Sequence, residues 1–278
     1  MHNNKLYIIE NLTSLHVGSG DTNMGVIDNL VQRDVLTAYP TIHSSSLKGA
    51  LKEFTSHLLK YPENATGDEE IQSRYNALKY IFGDESLSGM VRFMEAHLLA
   101  IPMRSDIYPY HLCVSHESIK NYLAIAKTFG IKIDALGTIP ESSSILVKEG
   151  NPTIEEYTAQ PHDDAELWDA LEKLVGEPVA IVPHALFEAL LEDLPVIARN
   201  QLENGVSKNL FYEEVVPKKS KFFTVISYPT YLNKRDINKI QPKFDAFHES
   251  LIGDNLIQMG ANASIGYGVT AFSLGGES

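Results

Sequence analysis

Apolar positions along this chain fall into short blocks whose spacing alternates between strand-like and helix-like periods. Leu6 to Leu15 is aliphatic and β-branched and predicts a buried strand. A polar, glycine-bearing loop from His16 to Met24 follows, and then an extended stretch from Val26 to Ile42. Ser44-Ser45-Ser46 opens a helix with an apolar stripe at Leu47, Ala50, Leu51, Phe54, Leu58 and Leu59, stopped by Pro62 and Asn64. A second helix is predicted from about Ile71 to Phe82, strands over Met90 to Met103 and Tyr108 to Val114, and a helix capped by Ser115 that ends at Gly130. Further on come a helix around Trp168 (Ala165 to Leu174), a short strand Val179 to Val182 and a helix Ala185 to Leu191.

The last third is richer in strands. Val196 to Asn200 and Leu210 to Val216 flank Asn204-Gly205, the strongest short hairpin signal in the chain. Lys221 to Tyr228 is another strand, Ile237 to Leu251 a helix. Leu256 to Met259 and Val269 to Leu274 bracket a glycine loop, Gly260 to Gly268. Helices and strands mix without regular βαβ alternation. That pattern predicts an α+β fold, an antiparallel sheet carrying helices on one face.

Composition narrows the class. At 44% hydrophobic, 278 residues can build one large domain. Met1 to Lys5 runs straight into a strand with no signal-peptide core, and no window approaches the ~20 apolar residues of a membrane span. A single cysteine, Cys113, excludes an internal disulfide framework and points to a reducing, cytoplasmic setting with no membrane partner. Net charge is −13, unlike most binders of free nucleic acid, but it is uneven. Residues 150–194 hold eleven acids and one base; residues 199–243 hold nine bases and four acids. The second stretch permits a basic groove.

Three segments carry candidate chemistry. His16-Val17-Gly18-Ser19-Gly20, leading to Asp28, pairs glycines that let a ligand approach the backbone with one nearby carboxylate. Ser44-Ser45-Ser46-Leu47-Lys48-Gly49 starts a helix whose first N–H groups can bind an anion. A lysine in that first turn is unfavourable for the helix unless a phosphate sits there. Gly260 to Gly268 precedes a strand, so it is no dinucleotide fingerprint, but it can form a nest of N–H donors. Each also has a plain structural explanation: a local cap, a serine cap, a tight hairpin. His111, Cys113 and His116 are explained by a strand running into a helix cap.

Together with Pro40-Thr41-Ile42, these blocks resemble the RAMP superfamily of CRISPR effector proteins, and within it the repeated backbone subunits of type III-B Cmr complexes. The resemblance is densest from Thr13 to Lys52, returns at Leu210 to Glu214 and closes at Gly260 to Gly268. It implies one domain over residues 1–278, with a modified RRM or ferredoxin-like core. Helical insertions would include the acidic segment at about 150–194, and a thumb-like β-hairpin would fall at about 199–217. The implied partners are a guide CRISPR RNA, complementary target RNA, other copies in a filament and the remaining Cmr subunits. Asp28 matches the aspartate tied to target cutting. It would hold a divalent metal, Mg2+ or Mn2+, with His16, Tyr212, Glu213 and Glu214 as further catalytic candidates. Gly18, Gly20, Ser45, Ser46, Lys48, Gly49, Arg199, Gly260, Asn262, Gly266 and Gly268 would grip RNA. Ser44 and Ala261 stand where relatives commonly have glycine. The implied activity is a metal-dependent endoribonuclease, with a non-catalytic scaffold of the same filament as the alternative. A small-molecule enzyme using its glycine loops for a phosphorylated metabolite is a distant third.

Overall fold

A computed structural model describes residues 2–20, 26–58, 77–230 and 234–277. In chain order the elements are β1 (His2–Asn11), β2 (Thr41–Ile42), α1 (Ser44–Leu58), β3 (Arg92–Phe93), β4 (Ala96–Met103), β5 (His111–Ser115) and α2 (His116–Thr128). Then come β6 (Leu146–Val147), β7 (Thr153–Ile154), β8 (Tyr157–Thr158), β9 (Gln160–Pro161), α3 (Ala165–Val175), β10 (Val179–Val182) and α4 (His184–Glu192). The chain finishes with β11 (Val196–Glu203), β12 (Val206–Glu214), β13 (Lys221–Pro229), α5 (Lys234–Ile252), β14 (Ile257–Gln258) and β15 (Val269–Glu277). Residues 77–82 are helical, the end of the segment predicted from Ile71; the Pro62–Asn64 stop lies outside the described residues.

One sheet runs β14-β15-β1-β13-β4-β5-β10-β6-β9, with β2 added to β4 and β3 to β13. Its centre is antiparallel: β1 pairs with β13 from His2↔Pro229 to Glu10↔Lys221, and with β15 on its other side. Two pairs toward the far end, β5–β10 and β6–β9, are parallel. The expectation of helices on one face is corrected. Tyr7 and Ile9 of β1 pack with α1, α4 and α5 through Leu47, Phe187, Phe244 and Phe247. Leu6 and Ile8, pointing the other way, pack with α2 and α3 through Ile119, Tyr122, Leu167 and Trp168. Successive strand residues face opposite sides, so a strand covered twice reads as continuously apolar. Lys221-Phe-Phe-Thr-Val-Ile-Ser-Tyr228 is such a run.

Local signals explain the boundaries. Ser115 and Ser118 form a reciprocal capping box at α2: the Ser115 side chain accepts the Ser118 N–H and the Ser118 hydroxyl the Ser115 N–H. Asp164 caps α3 by accepting the Leu167 N–H at 3.0 Å. Asn204 and Gly205 have φ of 52° and 81°, the mirror-image turn that matches strand twist, and they close β11 onto β12 as a separate two-stranded sheet. That hairpin starts at Val196, three residues before the expected thumb. The stretch from Val26 to Ile42 is a correction: β2 is its one regular strand. The rest crosses the sheet's end through isolated bridges, Gly18↔Val31, Asn29↔Glu213 and Arg33↔Pro40. None of the helices, among the described residues, is long and apolar enough to cross a membrane.

Candidate nucleic-acid interface

The crossing segment stitches Asp28 to the root of the hairpin. The N–H groups of Asp28 and Asn29 both donate to the Tyr212 carbonyl at 3.1 Å, and the Glu214 N–H donates to the Asn29 carbonyl at 2.9 Å. In return, Asp28 Oδ2 accepts the Tyr212 N–H at 2.8 Å. The Asp28 side chain is exposed, and its second oxygen has no partner among the described residues. Tyr212 is exposed beside it.

The two neighbouring glutamates are different. Glu214 is buried; its Oε1 meets Arg33 Nη2 at 2.5 Å and its Oε2 accepts the Val31 N–H at 3.0 Å. Glu213 is 3% exposed and gathers three of the predicted blocks. Asn262 Nδ2 donates to both its oxygens, at 3.0 and 2.9 Å; Arg199 Nη1 lies at 3.1 Å and His16 Nε2 at 3.7 Å. His16 is buried, and its Nδ1 lies 2.7 Å from the Glu214 carbonyl. Buried carboxylates saturated in this way hold a framework rather than present a reactive oxygen. Arg199 also lies over the Phe211 ring, 5.3 Å from its centroid.

The closing glycine loop docks on the first one. Ala261 N–H donates to the His16 carbonyl at 2.9 Å and Gly268 N–H to the Ser14 carbonyl at 2.8 Å. A Cβ at Gly260 would meet the His16 carbonyl oxygen at 2.3 Å, so only glycine allows the approach. Gly266, at φ 84°, turns the loop with open space around it. Gly18, Ser46, Gly49 and Gly260 then line one cleft of about 660 Å³, together with Val17, Phe54, Leu256 and a Glu53–His57 pair 2.7 Å apart. Gly20 and Ser45 are exposed nearby in sequence. Lys48 departs from expectation. Helical residues advance by about 100° each. Ser46, Gly49, Ala50 and Glu53 therefore share the cleft side, while Lys48 is turned away, beside the row of Leu51 and Thr55.

Two residues of the site were not anticipated. Gln32 is buried and bonds both Gly18 and Ser46, and Arg33 braces Glu214; the signal was a polar pair directly after the apolar Leu30-Val31. Among the described residues, no group of three or more His, Cys, Asp or Glu is placed to hold a metal. Asp28 alone can offer one carboxylate to an ion whose remaining ligands come from water and phosphate, the habit of Mg2+ at nucleic-acid sites. Cys113 is buried, and burial pushes its thiol well above the usual range, which removes it as a nucleophile.

A family model described as the RAMP superfamily matches residues 8–271. The CRISPR system Cmr endoribonuclease Cmr4 of Pyrococcus furiosus is 27% identical over 292 aligned positions, covering 95% of this chain and 92% of that protein. The CRISPR system CMR subunit Cmr4 of Saccharolobus solfataricus is 41% identical over 103 positions, 36% of this chain and 30% of that one. The fold matches the crystal structure of oligomeric Cmr4 from Pyrococcus furiosus, TM-score 0.73 at 20% identity over the whole of both chains. It also matches a chain of the type III-B Cmr-beta complex solved by cryo-electron microscopy with cognate target RNA, TM-score 0.70 at 19% identity, covering 98% of this chain and 96% of that one.

Proposed function

The chain belongs to the RAMP superfamily, and from that premise we propose that it is a backbone subunit of a type III-B CRISPR effector, binding guide RNA and cutting complementary target RNA beside its hairpin. The observation that carries this reading is Asp28: an exposed carboxylate fixed at the hairpin root by the Tyr212 N–H and joined through Glu213 and Asn262 to the glycine bends. The relative of known activity covers nearly the whole chain and is an endoribonuclease. Guide and target RNA, further copies of this chain and other Cmr subunits are the partners this reading requires.

The chemistry is transesterification within the RNA. The ribose 2′-oxygen attacks the adjacent phosphorus, the bond to the 5′-oxygen breaks, and the proton released by the 2′-hydroxyl ends on the leaving 5′-oxygen or solvent. Products carry a 2′,3′-cyclic phosphate and a 5′-hydroxyl. Asp28 would orient the 2′-hydroxyl by accepting its hydrogen bond; a lone exposed carboxylate is a weak base and a good director. The hairpin would splay the nucleotide so that attacking and leaving oxygens come into line, which a regular duplex forbids. A divalent ion held by Asp28, water and RNA phosphate would neutralise charge on the reacting phosphate. The glycine bends and the start of α1 would hold the backbone without reading bases.

Mass analysis of the ends left on a cut target tests this chemistry. Cyclic phosphate and 5′-hydroxyl ends are expected. A 3′-hydroxyl with a 5′-phosphate would mean attack by water and would remove Asp28 from its assigned role. The scaffold alternative draws on the same bond, since the Tyr212 N–H already occupies one Asp28 oxygen. It is favoured if the intact complex binds target and leaves it whole with Mg2+ or Mn2+.

A further inference from the structure

Gln32 is a buried polar residue that follows Leu30-Val31 and is only 7% exposed. Its main chain is engaged on both sides: its N–H donates to the Val17 carbonyl at 2.8 Å, and its carbonyl accepts the Thr41 N–H at 3.0 Å. The side chain makes three more bonds. Nε2 donates to the Gly18 carbonyl at 3.1 Å and to Ser46 Oγ at 2.9 Å, while Oε1 accepts the His43 N–H at 2.8 Å. Both amide protons and the amide oxygen are used, so the group has one working orientation.

The position of those partners gives the bonds a meaning beyond core satisfaction. Gly18 belongs to the loop wall of the cleft and Ser46 to its helix wall, and His43 is the residue before α1 begins. A simple buried amide could be satisfied within one element. This one spans two elements that otherwise form separate walls, and it holds the loop by the Gly18 carbonyl, while the Ser19 N–H is taken by the Leu30 carbonyl at 3.0 Å.

Resting on the RNA-backbone reading above, we infer that Gln32 is a positioning residue for RNA. Its side-chain amide fixes the spacing between the Gly18 loop and the start of α1, and so the width of the cleft that takes a single ribose-phosphate strand. It acts through Gly18 and Ser46 rather than by touching RNA.

The test uses the full chain in complex with its partner subunits, titrated with fluorescein-labelled oligouridylate, whose uniform bases make backbone contacts the common readout. Two variants are compared under conditions where circular dichroism shows each fully folded. Gln32→Glu turns the two donated bonds into an oxygen facing the Gly18 carbonyl. Affinity near neutral pH should fall on the order of tenfold, the loss expected when a buried polar group is left unpaired. Toward pH ~5 the introduced carboxyl, its pKa raised by burial above ~4.3, regains a proton and can donate again, so its gap from wild type should narrow. Gln32→Met keeps the volume without any donor. It should bind weakly at every pH and show no recovery.

His16, His43, His57 and Glu53, the ionisable side chains nearby, are common to all three proteins and cancel in the ratio. Wild-type affinity for both folded variants would overturn the inference while leaving the parent reading intact, because a role confined to stability does not move affinity once folding is complete. Equal weakening of the two variants at all pH values would also overturn it. Failure of the wild-type complex to bind the RNA would overturn the parent reading, and this one with it.

Discussion

Replacing Glu213 separates a framework carboxylate from a catalytic one. Its side chain is 4% exposed and holds Arg199, Asn262 and His16 at 3.1, 2.9 and 3.7 Å. Removing one partner of a buried ion pair costs about 3–5 kcal/mol. Arg199 remains a quarter exposed and can turn partly to water, so Glu213→Ala should fall near the lower end, ~3 kcal/mol. Glu213→Gln keeps the volume and an acceptor oxygen and should cost only about 1–2 kcal/mol. Urea unfolding gives the midpoints, and a change in midpoint at constant slope reports stability alone. Target cleavage and RNA affinity are then measured on the folded proteins. Glu213→Ala should also slow cutting, because Tyr212, which fixes Asp28, is the adjacent residue. Glu213→Gln should cut at close to the wild-type rate. An unchanged urea midpoint in Glu213→Ala would refute the framework role. So would loss of cutting in Glu213→Gln at wild-type stability and affinity, since that makes the carboxylate itself the reagent.

Glycine substitutions should divide by geometry. Gly268→Ala places a Cβ 1.8 Å from the Met259 carbonyl oxygen at φ 74°, and strain plus overpacking should cost on the order of 3 kcal/mol. Gly266→Ala has open space and should cost only ~1–2 kcal/mol from its positive φ; thermal melts of the two variants rank them, and equal melts would contradict the packing. Gly205→Val at the hairpin turn should raise amide hydrogen exchange across Val196–Glu214 while leaving exchange in β1 and β13 unchanged, because the hairpin is a separate sheet. Burial alone would raise the Glu10 carboxyl, but Lys219 at 2.8 Å and Lys221 at 3.1 Å outweigh it and hold it below its ordinary value. A lowered folded-state pKa adds stability above the unfolded value near ~4.3 and loses it as pH falls through the folded one. Glu10→Gln should therefore be less stable than wild type by up to ~1 kcal/mol at pH 7, a gap that closes in urea unfolding as pH falls through the lowered folded value.

Legibility in the sequence followed how local each constraint was. Asn204-Gly205, the Ser115 cap and the first half of the α1 stripe, with Leu47 and Leu51 buried, each act within a few residues and lie where expected, while Leu58 is exposed and Leu59 lies outside the described residues. Glycine bends were legible as bends because a positive φ or a close approach leaves a residue-type signature. The faces of the sheet were not. Phe222 and Phe223 point to opposite cores, and a doubly covered strand carries no alternation to read. The stretch after Val26 looks extended, yet its backbone pairs piecemeal, with Val17, with Tyr212 and within its own length, rather than with one partner strand. Asp28, His16 and Asn262 were singled out before the geometry. Glu213 was among them too, but how its carboxylate gathers His16 and Asn262 depends on long-range contacts, as does the neighbouring bond from His16 to the Glu214 carbonyl across 198 positions, and no short motif encodes those. Lys48 belongs to the same segment, but helical rotation turns it from the cleft.

Single-turnover cleavage of labelled complementary RNA by assemblies carrying wild-type chain or Asp28→Asn addresses the Asp28 assignment most directly. Asparagine keeps an oxygen for the Tyr212 N–H, so the hairpin root stays stitched while the carboxylate is lost. The expected result is cutting slowed by about 10²-fold or more at unchanged RNA affinity. Equal cleavage rates for the two assemblies would contradict it.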